Sequence, residues 1–338
     1  MEVDVESSTG EDQPNPERLE IDELQWGTLR DWGQLVRLPN SFTLISDTVA
    51  AALIVGSLLQ PIPAFALTLL ASFCAYWAGM ILNDIVDLEE DQEFRPTRPL
   101  PAGRISPVIA GHIASGMLIV GPLLILVVTN FYPSQSLWMG AAFASAVLLS
   151  FAVRSYNSVL KHTFVGPVLM GLCRALNILM VGCTMFSVSE YEIMPSALVW
   201  YATAIGLYIM GVTIYARREE TDSNPAGLIM GLIMEFAALV VLAGFPLWSK
   251  TEHAWGLDPY RAYPLLMGLI GLTVIQRGVS GVSHPVPRKV QLAVKHAILT
   301  LILIDAAVAV MWAGPWFGGA VALMLLPALS TALRFRST

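Results

Sequence analysis

The chain has 338 residues, 55% of them hydrophobic and only 13% charged, with a mean hydropathy of +0.63. Those values exclude an ordinary soluble domain and indicate an all-α polytopic membrane protein. The formal net charge of −7 is local: nine of the 26 acidic residues lie between Glu2 and Glu23, opposed only by Arg18, and the near-neutral remainder gives no reason to expect nucleic-acid binding.

Residues 1–25 are rich in Glu, Asp, Ser and Pro and show no apolar period, so they read as a disordered acidic tail ahead of one membrane domain, 26–338. The polar start has no cleavable signal peptide, which leaves insertion to the first span. Residues 26–41, with Trp26 and Trp32, read as a short amphipathic segment at the membrane surface.

Long apolar runs follow, each near the ~20 residues that a bilayer core requires. They cover 43–60, 63–82, 107–129, 136–153, 164–187, 195–214, 226–247, 262–281, 292–313 and 316–335. That makes ten spans, or nine if the last two form one broken or re-entrant unit. With the N-terminus in the cytoplasm, Arg30, Arg37, Arg95, Arg98, Arg104, Arg154, Lys161, Arg217, Arg218, Arg288, Lys289, Lys295, Arg334 and Arg336 fall inside, and only Lys250 and Arg261 outside. This asymmetry follows the positive-inside rule and puts two polar stretches, 83–104 and 215–225, on the cytoplasmic side.

The first stretch, NDIVDLEEDQEFRPTRPLPAGR, continues an apolar run without a turn residue. On a helix Asp84, Asp87 and Asp91 share one face, with Asn83 at its edge. Carboxylates crowded on one stripe repel unless a cation sits among them, and hard oxygen ligands suit Mg²⁺, which is usually held by one or two carboxylates plus substrate phosphates. Arg95, Arg98 and Arg104 follow at once, so cation-binding and anion-binding groups adjoin, as a metal-bridged diphosphate needs. The bland alternative is a solvated charged loop, which gives no reason for Asn-Asp at the hydrocarbon edge.

The second stretch, TIYARREETDSNPAG, places Glu219 and Asp222 at i, i+3 beside Arg217 and Arg218. Its bland reading is a salt-bridged helix end, with Pro225 opening the next helix. A third cluster sets Tyr156 and Lys161 in a cytoplasmic turn, and Arg174 with Asn177 deep in a span. A charge at mid-membrane costs about 2.5–3.5 kcal/mol, so Arg174 should face a polar cavity or brace a neighbouring helix. Cys74, Cys173 and Cys183 lie in apolar runs as small hydrophobes, and the five histidines show no metal-ligand spacing. Gly79, Gly166, Gly171 and Gly182 read as close helix contacts.

Asn83, Asp84, Asp87 and Asp91 spell NDxxDxxxD, followed by Arg98-Pro99-Leu100-Pro101 and Gly103-Arg104-Ile105. This resembles the first signature of the UbiA superfamily of intramembrane prenyltransferases. The lead-in VRLPNSFT, with Arg37 and Asn40, and a middle segment with Tyr156, Lys161 and Asn177, resemble further parts of that family. The family's second motif reads DxxxD; here 211–225 contains no such pair, and Glu219 and Asp222 stand in its place.

The resemblance implies a helical bundle around a central cavity capped by two acidic motifs. It implies an isoprenyl diphosphate bound through Mg²⁺, and prenyl transfer to a lipophilic acceptor, often an aromatic ring. Asp84, Asp87 and Asp91 would be catalytic and, with Asn83, Glu219 and Asp222, would ligate metal. Arg37, Asn40, Asn83, Arg98, Tyr156, Lys161, Arg174, Asn177 and Arg218 would bind substrate. The missing second Asp pair keeps an alternative open, a lipid or small-molecule carrier of the same fold without transferase activity. A structural subunit without ligand leaves Asn83–Arg104 unexplained.

Overall fold

The computed structural model describes residues 25–132, 136–189, 192–217, 224–248 and 256–334. The expected tail, apart from Gln25, lies outside these residues, as do Arg218, Glu219 and Asp222.

A surface helix comes first, α1 (Leu29–Leu35), opened by a capping box in which Thr28 and Asp31 satisfy each other's backbone amides. Arg37 then takes a left-handed conformation at φ 50°, unusual for a residue with a side chain. It turns the chain through a 3-10 turn, Leu38–Asn40, into α2 (Ser41–Ile54). The following helices are α3 (Ile62–Val86), α4 (Leu88–Phe94), α5 (Pro107–Phe131), α6 (Ser136–Tyr156) and α7 (Val165–Ser187). Then come α8 (Ser196–Ala216), α9 (Pro225–Ala243), the single turn α10 (Phe245–Trp248), α11 (Pro259–Ser283) and α12 (Pro287–Ala313). The chain closes with α13 (Pro315–Leu323) and α14 (Leu325–Arg334).

Among the described residues, nine segments are long and apolar enough to cross a membrane, counting α13 with α14 as one. The first of the ten expected spans, 43–60, is instead the shorter helix α2, which stops at Ile54. It can be short because protein surrounds it rather than lipid: it packs against α12, α7 and α3, and nearly all of its residues are buried. Non-helical backbone at membrane depth needs such cover, because lipid offers it no hydrogen bonds. The freed carbonyls are met locally, with Ser57 Oγ donating to Ala52 O at 2.9 Å and Gly56 N to Leu53 O at 3.0 Å.

The other helices pack mostly on their sequence neighbours, α5 on α3, α6 on α7, α7 on α8, α8 on α9 and α11 on α12, while α12 returns to α2. Small residues let backbones close up. A Cβ on Gly171 of α7 would collide with the Gly206 carbonyl of α8, as the sequence led us to expect. Large apolar side chains such as Phe131, Phe151, Val199 and Phe236 point outward. That is the lipid-facing half of the hydrophobic pattern, and the chain is an integral, multi-pass membrane protein.

Candidate active site

The helix that begins at Ile62 runs apolar through six turns and delivers Asn83 and Asp84 at its last turn. It kinks at Asp87, yet the helical bonds carry through, Asp87 N to Asn83 O at 3.0 Å and Asp91 N to Asp87 O at 2.8 Å. Residues seven apart are nearly aligned on such a path, so Asp84 and Asp91 face the same way and share Arg98, while Asp87 meets Lys161. Both aligned acids are almost wholly buried, at 4% and 3% exposure.

Cations converge on them. Arg98 Nη1 lies 2.7 Å from Asp91 Oδ2 and 3.5 Å from Asp84 Oδ1, bridging the two. Arg37 Nη2 reaches Asp84 Oδ1 at 3.2 Å, and Arg95 Nη1 reaches Asp91 Oδ1 at 3.6 Å. Asp87 pairs with Lys161 and accepts a hydrogen bond from Asn83 Nδ2 at 3.1 Å. Lys161 stands on a 3-10 turn, Val159–His162, just after α6. Asn157 holds that end of α6 in place, donating to Gly79 O of α3 at 3.3 Å. Tyr156, the last residue of α6, is buried beside it. Four cations thus crowd three acids at one mouth.

The proline-rich loop after α4 aims Arg98 inward. Gly103 takes φ 67°, Arg104 N bonds back to Pro99 O at 3.0 Å, and Leu100 and Ile105 are buried. Arg104 does not join the acids of the motif. Its Nε donates to Asp31 Oδ1 at 2.6 Å and its Nη2 to Thr97 O at 3.0 Å, which fastens the loop to α1. Burial pushes the Asp31 carboxyl up, but hydrogen bonds from Thr28 and the Arg104 guanidinium outweigh it, and the group titrates below its ordinary value.

The remaining expected residues divide. Asn40 ends the 3-10 turn and its carbonyl accepts from Thr43 Oγ1 at 2.8 Å. Arg174 is not at the mouth: it forms an ion pair with Asp47 of α2 and donates to Thr43 Oγ1 at 2.8 Å. Asn177, one turn further along α7, is 3% exposed with both amide atoms unpartnered. The second acidic stretch is described only at its edges. Arg217 donates to His162 O, and Asn224 caps α9 by accepting from Ala226 N at 3.0 Å. The start of that stretch therefore adjoins the turn that carries Lys161.

Sequence reasoning missed Asp47, Asp305, Tyr201 and Glu235. Asp305 of α12 is fully buried and accepts from Ser46 Oγ and Tyr201 Oη, each at 2.5 Å. The signal was available, since an acid inside an apolar run is costly and so marks a polar interior.

Among the described residues, no group of three or more His, Cys, Asp or Glu side chains is arranged to hold a metal. Mg²⁺ needs fewer, taking one or two carboxylates and completing its shell with water and substrate phosphate. Asp84 and Asp91 converge on a single positively charged atom, Arg98 Nη1, and Asn83 adds a neutral oxygen one residue away. This donor set fits a hard divalent cation.

Residues 44–279 match the UbiA prenyltransferase family. Digeranylgeranylglyceryl phosphate synthase of Sulfolobus acidocaldarius is 28% identical over 245 residues, 72% of this chain and 83% of that protein. Its namesake from Saccharolobus solfataricus is 25% identical over 191 residues, 56% of this chain and 64% of that one. Two solved structures share the fold. One, of digeranylgeranylglyceryl phosphate synthase, has a TM-score of 0.60 at 20% identity, covering 84% of this chain and 98% of its own. The other, a UbiA homologue from Archaeoglobus fulgidus bound to DMAPP and Mg²⁺, has a TM-score of 0.54 at 13% identity, covering 87% and 99%. With the family match spanning most of its length, this chain belongs to the UbiA prenyltransferase family and is a membrane-embedded prenyltransferase.

Proposed function

We propose that the chain transfers a prenyl group from an isoprenyl diphosphate to a hydroxyl of a lipophilic glycerophosphate acceptor, with Mg²⁺ as cofactor. The acceptor class follows the curated relatives, which are digeranylgeranylglyceryl phosphate synthases, and replaces the aromatic ring expected first. The single observation that carries the site is Arg98 joining Asp84 to Asp91 at the end of an apolar helix. Buried acids interleaved with guanidinium groups are what a diphosphate and a divalent cation jointly require.

Asp84 and Asp91, with Asn83 and Asp87, would hold Mg²⁺, and Glu219 and Asp222 are candidates for a second ion. When bound, the ion supplies electrostatic stabilisation of the departing diphosphate. Lys161, Arg98 and Arg37 hold the diphosphate oxygens and meet the charge that grows there as the carbon–oxygen bond breaks. Arg218 is a further candidate for the same work, Arg174 is taken up by Asp47 away from the mouth, and Asn40 and Tyr156 shape the entry. The C1–O bond breaks with its electron pair going to diphosphate, the acceptor oxygen bonds to C1, and the hydroxyl proton passes to the released diphosphate. The apolar helices exclude water, which would otherwise capture the allylic cation. The Lys and Arg asymmetry between the loops supports a cytoplasmic mouth and a cytoplasmic N-terminus.

The test is direct. Purified protein in lipid nanodiscs receives labelled geranylgeranyl diphosphate, Mg²⁺ and geranylgeranylglyceryl phosphate. We expect a prenylated ether product that disappears in Asp84→Ala. Tight binding of the diphosphate without product, across hydroxyl acceptors, would favour a carrier instead.

A further inference from the structure

Helices α11 and α12 form a hairpin that the transfer scheme leaves unused. Its turn lies at the same end of the bundle as the mouth. Tyr215 Oη, at the end of α8, donates to Gly278 O of α11 at 2.8 Å, and Arg217, two residues on, donates to His162 O beside Lys161. From Pro259 to Ile304 the chain has no Asp or Glu, yet it carries Arg261, Arg277, Arg288, Lys289 and Lys295. Arg261 pairs with Asp258 at the far end of α11. Arg277, Arg288 and Lys295 are exposed and, among the described residues, have no carboxylate partner.

One side-chain contact sets the register of the two helices. Thr273 Oγ1 of α11 donates to Ile270 O at 2.8 Å, which spends its proton, so His296 Nε2 of α12, 3.0 Å away, is the donor to Thr273. In an antiparallel pair, one turn along α11 from Thr273 reaches Arg277, and one turn back along α12 from His296 reaches Leu292. Arg277 therefore stands about level with Leu292, on the edge of α11 that faces α12. Arg288 and Lys295 lie one turn to either side of Leu292 on its own exposed face. Three unpaired cations thus border one groove between the two helices.

Cations in a loop follow from membrane topology alone, and Arg288 and Lys289 fit that. Arg277 and Lys295 do not. They lie six residues before Ser283 and eight after Pro287, which is about 9 Å and about 12 Å inside the helix ends. Leu269, Leu272, Val279 and Leu292 around them are all exposed, so this surface meets hydrocarbon. A cation at that depth is costly, and its long side chain relieves the cost by reaching up to the interface, where lipid phosphates lie. Guanidinium and ammonium groups around one groove offer a phosphate several charge-assisted hydrogen bonds.

We propose that the groove between α11 and α12 binds an anionic membrane phospholipid. Arg277, Arg288 and Lys295 hold its phosphate, and its acyl chains lie over Leu269, Leu272 and Leu292. The site is separate from the acidic motif and takes no part in the transfer step.

Two lipids that differ in headgroup charge test this. Full-length protein in detergent is titrated with dioleoylphosphatidylglycerol and, separately, with dioleoylphosphatidylcholine, and bound lipid is counted by native mass spectrometry. Wild type should bind the anionic lipid at least roughly tenfold more tightly. Arg277→Gln with Lys295→Gln should bring the two lipids to within about threefold of each other, with the melting temperature unchanged. Arg154→Gln with Arg334→Gln removes two exposed cations elsewhere and should keep the preference. Inorganic phosphate should not displace the lipid, because it has no chains to cover the leucines. Equal binding of both lipids by wild type overturns the proposal. So does a preference that survives the first double substitution or is lost equally in the second, and so does displacement by inorganic phosphate. If the first double variant does not melt cooperatively, Arg277→Gln alone supplies the comparison.

Discussion

Lys161 and Asp87, 74 residues apart in the chain, form an ion pair that ties the turn after α6 to the kink between α3 and α4. Both side chains are shielded, at 15% and 17% exposure. The pair gives the acid motif a positive neighbour from a different part of the bundle, and it lets one helix register control the charge at another.

Replacing Lys161 should therefore hurt donor binding and turnover together. Lys161→Met is expected to lower kcat/KM for the isoprenyl diphosphate by about 10²-fold, the usual cost of one charge-stabilising donor. Lys161→Arg should recover part of it. Steady-state kinetics with varied donor and saturating acceptor checks this, and an unchanged kcat/KM in Lys161→Met would remove the residue from the site.

Arg98 meets Asp84 and Asp91 through one nitrogen, Nη1, of a delocalised guanidinium that carries further N–H donors, whereas a lysine ammonium is a single compact, strongly hydrated charge. Arg98→Lys should weaken donor affinity by roughly tenfold and lower the thermal midpoint, because two buried acids lose a shared partner. Donor titration and a melting curve on the same sample distinguish the two effects.

Asp31 titrates below its ordinary value in the folded chain because Thr28 and Arg104 stabilise its charged form. A depressed carboxyl adds stability above its unfolded pKa and loses it as pH falls through the folded value. The fastening of α1 to the loop of Arg98 should thus hold at neutral pH and weaken below about pH 4. Asp31→Asn should lower the melting temperature at pH 7 and flatten its fall between pH 5 and the acid limit. Equal slopes for the two proteins would contradict this assignment.

Gly171 marks where α7 and α8 touch backbone to backbone. Gly171→Val forces them apart and should cost about 1–3 kcal/mol, as overpacking generally does. Thermal unfolding reads the loss.

The motif was legible because its acids recur at helical spacing straight out of an apolar run, so the partners of Asp84 and Asp91 on one face followed from periodicity alone. The basic character of the following loop was equally plain, though not the choice between its arginines. Arg98 turns inward and Arg104 turns to Asp31, which depends on the fold of Pro99–Gly103. Arg174 was visible as a costly charge, but its partner was not, because an isolated Asp47 in an apolar run does not reveal which way it faces. The early end of α2 was hidden too. Hydropathy reports that residues 43–60 avoid water, and cannot tell lipid from surrounding protein.

The most direct measurement replaces Mg²⁺ with paramagnetic Mn²⁺ and follows its binding by electron paramagnetic resonance in the presence of geranylgeranyl diphosphate. Ordered Mn²⁺ bound to wild type only with the diphosphate present, and lost in Asp84→Asn and in Asp91→Asn while both variants still melt cooperatively, is the predicted result. Mn²⁺ binding that is indifferent to the diphosphate, or that survives both substitutions, would show that these acids do not grip the metal and its lipid diphosphate.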